Sequence, residues 1–248
     1  MAVTFFWRCE GTTLSGTDDL PGADTSATAN NSPAISATAA LIGSNGVLID
    51  AAGESYLLDS EAGIINRLTG SVAFWFRPQA WANGAGIWRA EGSSFDQNLG
   101  IMMTGTDELR FVVNLEGTQA NLDTTAANIA VDTTYFVTAS WDQPNNDRRI
   151  RVYDASGSLI QEVEDTATAY TAPTDLVGTD TFYVGESAGV GSPAYYIDNI
   201  FVGSAYADAD AFLTNRSITS YTQYGGGAAP AGKYQRPIGR GIARGIGF

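Results

Sequence analysis

Histidine is absent from the 248 residues. Its absence removes Ser-His-Asp and Cys-His catalysis, histidine-ligated zinc and imidazole pH switching together. Cysteine occurs once, as Cys9. No internal disulfide or thiolate cluster can form, so stability must come from core packing or from assembly with other chains. Cys9 itself reads as a small buried apolar residue. Basic residues are scarce: 13 Lys and Arg stand against 27 Asp and Glu, a net charge of −14. Such a surface lacks the basic footprint that phosphate binding requires, which argues against nucleic acid as a partner. No apolar run approaches the roughly 20 residues needed to span a bilayer. Arg8 and Glu10 stand where a secretory leader carries its apolar stretch. Neither a membrane span nor a secretory leader is expected.

What remains is ample for a core. The chain is 44% hydrophobic and only 16% charged, far from the composition of disordered proteins. Its charge is unevenly placed. Residues 225–248, GGGAAPAGKYQRPIGRGIARGIGF, carry Lys233, Arg236, Arg240 and Arg244 and no acid. The body, residues 1–224, keeps the other 9 basic and all 27 acidic residues, a net of −18. Eight glycines and two prolines deny the last 24 residues a core of their own, so they read as a flexible arm. Fully extended, it spans about 80 Å. Ile238, Ile242, Ile246 and Phe248 are spaced among its arginines like anchors, a pattern that suits docking into a groove or adding a strand to a neighbour's sheet.

Along the body, short runs rich in β-branched and aromatic residues alternate with Gly, Asn, Asp and Pro clusters, which predicts many short strands. Ser71 to Pro78 (SVAFWFRP) reads as a strand ended by its proline, with Val72, Phe74 and Phe76 on one face and Trp75 on the other. With both faces apolar, it belongs between layers. LRFVVN from Leu109, TYFVTASW from Thr134, RIRVY from Arg149, TFYV from Thr181 and YYIDNIFV from Tyr195 repeat the theme. Gln143-Pro144-Asn145-Asn146-Asp147 and Asp154-Ala155-Ser156-Gly157 supply turn residues for successive hairpins. One short helix is expected over Ala207–Asn215, with Phe212 and Leu213 packing back on the body. This pattern predicts an all-β, antiparallel two-sheet sandwich rather than a parallel α/β sheet.

The order of these pieces resembles the LamG-like, concanavalin A-like jelly-roll family. Phe5-Phe6-Trp7 with Glu10-Gly11 looks like its opening strand. Gly46 to Asp50 and Ser55 to Leu58 resemble its paired early strands, and Ser71 to Pro78 its aromatic strand. Tyr135 to Asp142, Arg149 to Asp154 and Gly157 to Ile160 look like its central hairpin; Tyr183-Val184-Gly185 and Ile197 to Ile200 resemble its closing strands. The resemblance covers Val3 to Tyr206 and implies two stacked sheets whose face or loop rim binds glycans in relatives, sometimes with calcium.

Related jelly rolls include glycoside hydrolases, whose retaining members need two carboxyls about 5–5.5 Å apart. No strand here carries such a pair: Asp198 stands alone among apolar neighbours, and a glycine turn splits Asp50 from Glu54. Gly185-Glu186-Ser187-Ala188-Gly189 matches a nucleophile elbow in letters only, since no histidine base exists and Gly191-Ser192-Pro193 forbids the helix that should follow. No enzyme is expected. For carbohydrate, Trp81 and Trp88 flank the small loop Ala82–Gly86, where indole rings would stack on sugars while Arg89 and Glu91 fix hydroxyls; the competing reading makes both rings core. Trp75 and Trp141 read as core. Asp50, Glu54 and Asp59, or Asp96 and Asn98, offer oxygen ligands of the kind calcium takes, without diagnostic spacing.

A sandwich without disulfides, followed by a basic arm with apolar anchors, resembles bacteriophage structural proteins that display LamG-like modules. The resemblance implies a non-catalytic virion surface protein, made in the host cytoplasm and anchored to other subunits through Lys233, Arg236, Ile238, Arg240, Ile242, Arg244, Ile246 and Phe248. The alternative is an extracellular glycan-binding adhesin module, with calcium as its one candidate cofactor.

Overall fold

A computed structural model of the chain describes residues 3–14, 19, 26–59, 64–91, 97–104, 107–115, 118–126, 128–171, 181–185 and 193–220. The proposed anchoring residues in 225–248 lie outside the described residues.

Two antiparallel sheets are stacked as a sandwich. With strands numbered in chain order, one sheet runs β13 (Leu159–Asp165), β12 (Asp147–Asp154), β11 (Tyr135–Asp142), β6 (Thr69–Ala80), β15 (Ala194–Gly203), β4 (Gly46–Ile49) and β3 (Ala34–Ser36). Its eighth strand, β1 (Val3–Trp7), pairs with the far end of β15. The other sheet has seven strands in the order β10 (Thr118–Asp123), β9 (Leu109–Leu115), β8 (Gln97–Met103), β7 (Gly86–Glu91), β14 (Thr181–Gly185), β5 (Ser55–Asp59) and β2 (Thr28–Asn30).

The period-2 alternation of each strand decides what lies between the sheets. Along β6, Val72, Phe74 and Phe76 point inward, joined by Trp7 and Trp141 from the same sheet and Phe111 from the facing one. Ala73 and Trp75 point outward, where they meet Phe6, Phe136, Phe201 and Phe212 in a second apolar layer. That layer is roofed by the helix α1 (Asp208–Thr214), where the sequence placed it. Phe212 stacks on Phe201 at 5.3 Å between ring centroids, and the Trp75 indole N–H donates to the Arg216 carbonyl at 2.8 Å. The sandwich is thus three layers deep on this side. Both faces of β6 are buried, as its two apolar faces require.

Two expectations are corrected. Pro78 does not end β6, which continues to Ala80. The Pro78 carbonyl accepts from Asp132 N–H, just before β11 begins, so the N–H that proline lacks falls on the side where the β11 ladder has already stopped. The early strands β4 and β5 are not partners either: they lie in opposite sheets. The turn between them places Gly53 at φ +78°, and the Glu54 carboxylate folds back to accept from the backbone N–H groups of Asp50 and Ala51 at 2.8 and 3.0 Å. This staple turns the chain from one sheet to the other.

The hairpin turns behave as read. Asn146 takes the left-handed conformation after a single 3-10 turn over Gln143–Asn145, and Gly157 sits at φ +92°. Beside the helix, Arg151 is shared between Glu162 on β13 and Asp210 on α1, which ties the roof to the sheet edge.

At a bulge in β15, Asp198 is fully buried. Its Oδ2 accepts from the N–H groups of Leu41 and Ile42, both at 2.9 Å, and its Oδ1 from Asn199 N–H at 2.8 Å. Burial pushes this carboxyl up to about 8, outweighing the three donors, which pull it down. Cys9 is also fully buried, and burial, with Asp198 nearby, raises its thiol well above the ordinary range. Among the described residues no helix is long and apolar enough to cross a membrane.

Candidate functional site

The residues proposed for sugar contact separate into three environments. Trp88 has 0% exposure. Gly86 and Trp88 flank a register irregularity where β7 meets β8, and beyond it Trp88 and Ala90 point into the sandwich. The Trp88 ring lies 6.2 Å from Trp141 and 5.8 Å from Phe182. A ring enclosed this way has no face for a ligand, so the structure gives Trp88 a packing role in place of the expected stacking one. Trp81 lies at the end of the sandwich, where residues 81–85 carry the chain between sheets. It is half-buried, 6.4 Å from the Phe76 ring, and its indole N–H has no hydrogen-bond partner among the described residues. The loop beyond it is pinned by Gly84 N–H donating to the Met103 carbonyl at 3.0 Å.

Arg89 lies on the opposite side of β7 from Trp88 and Ala90, on the outer face of the seven-stranded sheet. Glu91 follows two residues later in the same strand, and its side chain is outside the described residues. The register assembles a continuous row across this face: Leu57 on β5, Tyr183 on β14, Arg89 on β7, Gly100 on β8, Val112 on β9 and Asn121 on β10. Gly100, buried beside the arginine, contributes no side chain to the row. A Cβ placed there would stand 3.3 Å from the Trp88 carbonyl oxygen and 3.7 Å from the Arg89 Cγ. The row therefore sets the half-buried Tyr183 and Arg89 on adjacent strands, with the stem of Arg89 lying over the buried Gly100. A planar ring offers an apolar surface to C–H groups, and a guanidinium presents a fixed fork of donors to paired hydroxyls. Tyr183, Gly100 and Asn121 were not among the sequence candidates. Tyr183 carried a signal, since in TFYV it alternates with the inward Phe182 and Val184, but its adjacency to Arg89 depends on register.

Of the carboxylates considered for catalysis or calcium, Asp50 is exposed and the others are engaged elsewhere or undescribed. Glu54 serves the turn staple and Asp198 the three N–H groups described above. The side chains of Asp59, Asp96 and Asn98 are outside the described residues, as are residues 186–192 of the elbow-like loop. Among the described residues, no group of three or more Cys, Asp or Glu is placed to hold a metal ion.

No family model matches the sequence, and no curated protein matches it. Solved structures do match in shape. Domain 4 of AbnA, a GH43 extracellular arabinanase from Geobacillus stearothermophilus solved with arabinotriose, is 14% identical with a TM-score of 0.61, over 87% of this chain and 98% of that one. The fold is a two-sheet jelly-roll sandwich. The botulinum neurotoxin serotype G binding domain is 11% identical with a TM-score of 0.57, over 87% of this chain and 51% of that one. The binding domain of Paraclostridial Mosquitocidal Protein 1 is 14% identical with a TM-score of 0.57, over 86% and 52%. The sandwich thus spans about half the length of these toxin domains and nearly all of the arabinanase domain.

Proposed function

We propose that this sandwich is a non-catalytic carbohydrate-binding module whose ligand lies along the outer face of the seven-stranded sheet. The observation that carries the reading is the row in which Tyr183, Arg89 and Gly100 stand on three adjacent strands. The sugar ring stacks on Tyr183 and its hydroxyls take Arg89 donors, while Gly100 gives the stem of Arg89 a place to lie flat on the sheet. The arabinanase domain of the same fold, solved with arabinotriose, supports a short oligosaccharide as the ligand class. Trp81, at the sandwich end, is the competing contact on this reading. An oligosaccharide array probed with the parent chain and with Tyr183→Ala, Arg89→Ala and Trp81→Ala separates them. The two sheet-face variants should lose at least tenfold in apparent affinity and Trp81→Ala little. Retention by both sheet-face variants would refute the face, and loss only in Trp81→Ala would move the site to the rim.

A second role is favoured by charge. A net of +4 in residues 225–248 follows a body of −18, and this asymmetry suits an arm that anchors the module to acidic neighbouring subunits, as on the surface of a phage particle assembled in the host cytoplasm. Glycan binding then serves as the displayed activity and the arm as its tether. Deleting residues 225–248 should leave a folded body that no longer joins its assembly; undiminished assembly would refute the tether.

A further inference from the structure

β13 ends the eight-stranded sheet, and among the described residues nothing pairs with its outer edge. Edge strands of globular proteins are ordinarily blunted or covered, because a row of unpaired N–H and C=O groups invites another strand. This one also carries exposed apolar side chains at its start: Leu159 is 51% and Ile160 41% exposed, at the point where pairing with β12 is irregular. The rest of the strand is acidic, with Glu162, Glu164 and Asp165 and no basic residue. Glu162 and Glu164 share the outer face with the arginines of β12 that they approach. On the inner side the sandwich is closed beside β13. Gln161 donates to the Thr125 carbonyl at 2.9 Å and accepts from Thr125 N–H at 3.0 Å.

A strand added here would need large side chains on one face, matching apolar and acidic groups, and almost none on the other. Residues 238–248 read Ile-Gly-Arg-Gly-Ile-Ala-Arg-Gly-Ile-Gly-Phe. Every even position is Ile, Arg or Phe and every odd one is Gly or Ala, so an extended chain of this sequence has a single bulky face. In that face an isoleucine lies two residues from an arginine, the spacing that separates Ile160 from Glu162.

We propose that the open edge of β13 accepts residues 238–248 of a second copy of this chain as an added strand, isoleucine against Ile160 and arginine against Glu162. The inference rests on the tether reading above and names its acceptor. Length allows a second copy. The described chain stops at Ser220, just past Arg216, whose guanidinium already bonds the Ser156 carbonyl in the turn leading into β13. Reaching its own edge would need few residues. The 17 residues from 221 to 237 extend to about 56 Å, beyond the width of a body whose radius of gyration is about 17 Å. Such a contact closes a pair when two arms are exchanged reciprocally and otherwise builds rings or filaments.

Full-length chains carrying Ile160→Cys alone and Ile242→Cys alone, mixed and oxidised, test the pairing. The buried Cys9 does not compete. The expected product is a disulfide-linked dimer containing one chain of each kind, and Ile160→Lys in the parent chain should reduce its sedimenting mass towards the monomer with an unchanged circular dichroism spectrum. No mixed dimer, or a double variant that closes only within one chain at every concentration, overturns the proposal. Removing residues 225–248 reports on the tether separately. Self-association that survives removal ends both readings, whereas association lost on removal without any mixed dimer overturns β13 as acceptor and leaves the tether standing.

Discussion

Replacing Asp198 should be among the most damaging single changes outside the aromatic core. Its carboxyl oxygens accept from three backbone N–H groups, those of Leu41, Ile42 and Asn199, at 2.8–2.9 Å. Asp198→Ala leaves these donors without that acceptor. A buried donor left unpaired costs about 1–3 kcal/mol. Asn199 is buried while Leu41 and Ile42 are half-buried and within reach of water, so the expected loss is about 3–5 kcal/mol. Against the ~5–15 kcal/mol that a folded domain typically holds, this is a large fraction. Urea unfolding followed by tryptophan fluorescence reads it as a lowered midpoint at unchanged slope. A loss under ~1 kcal/mol would refute the three-donor account. The sign with pH follows from the carboxyl being pushed up to about 8, above its unfolded value near 3.9. A group raised in the folded state contributes stability fully below its unfolded pKa, and that contribution is lost as pH rises through the folded one. The advantage of the parent chain over Asp198→Asn should therefore be greater at pH 5 than at pH 8.5. An equal or growing advantage at pH 8.5 would show that the donors outweigh burial. Since Asp198 holds residues 41–42 against the eight-stranded sheet, glycan binding on the other sheet should survive in variants kept below their unfolding temperature.

Two other outcomes follow from the same geometry. Trp88→Ala empties a fully buried site and should cost about 3–5 kcal/mol in urea unfolding, whereas half-buried Trp81→Ala should cost less than half of that; equal losses would contradict the placement of Trp88 in the core. Asp165 accepts from the Thr168 and Ala167 N–H groups, and these bonds, with Arg148 beside it, hold its carboxyl down at about 2. Its contribution is present above the unfolded value near 3.9 and lost as pH falls through 2, so Asp165→Asn should flatten the thermal-stability profile between pH 4 and 2. An unchanged acid limb would refute that assignment.

Strand identities were legible because they rest on local chemistry. SVAFWFRP has two apolar faces, and its outward Trp75 found a cover in the one helix the sequence offered. The turns at Asn146 and Gly157 were readable for the same reason, since each needs a left-handed residue at a fixed place. Connection between layers was less visible. Gly46 to Asp50 and Ser55 to Leu58 look like a hairpin in sequence, and only the Glu54 carboxylate folded back on Asp50 and Ala51 shows the chain changing sheets. Trp88 misled because glycines precede it; a strand irregularity between Gly86 and Trp88 sets which face the indole takes. The Leu57–Asn121 row could not be read at all. It draws on six strands, and its alignment depends on irregularities near Gly86 and Phe182 that hydrophobic periodicity does not encode.

The most direct test of the glycan face is a residue-resolved map of where sugar binds. Amide chemical shifts of the 15N-labelled chain, titrated with the strongest oligosaccharide from the array, should move at Leu57, Arg89, Gly100, Val112 and Tyr183, on five adjacent strands of one sheet. Shifts confined to Trp81 and residues 82–85 at the sandwich end, or none with any oligosaccharide tried, would contradict the account.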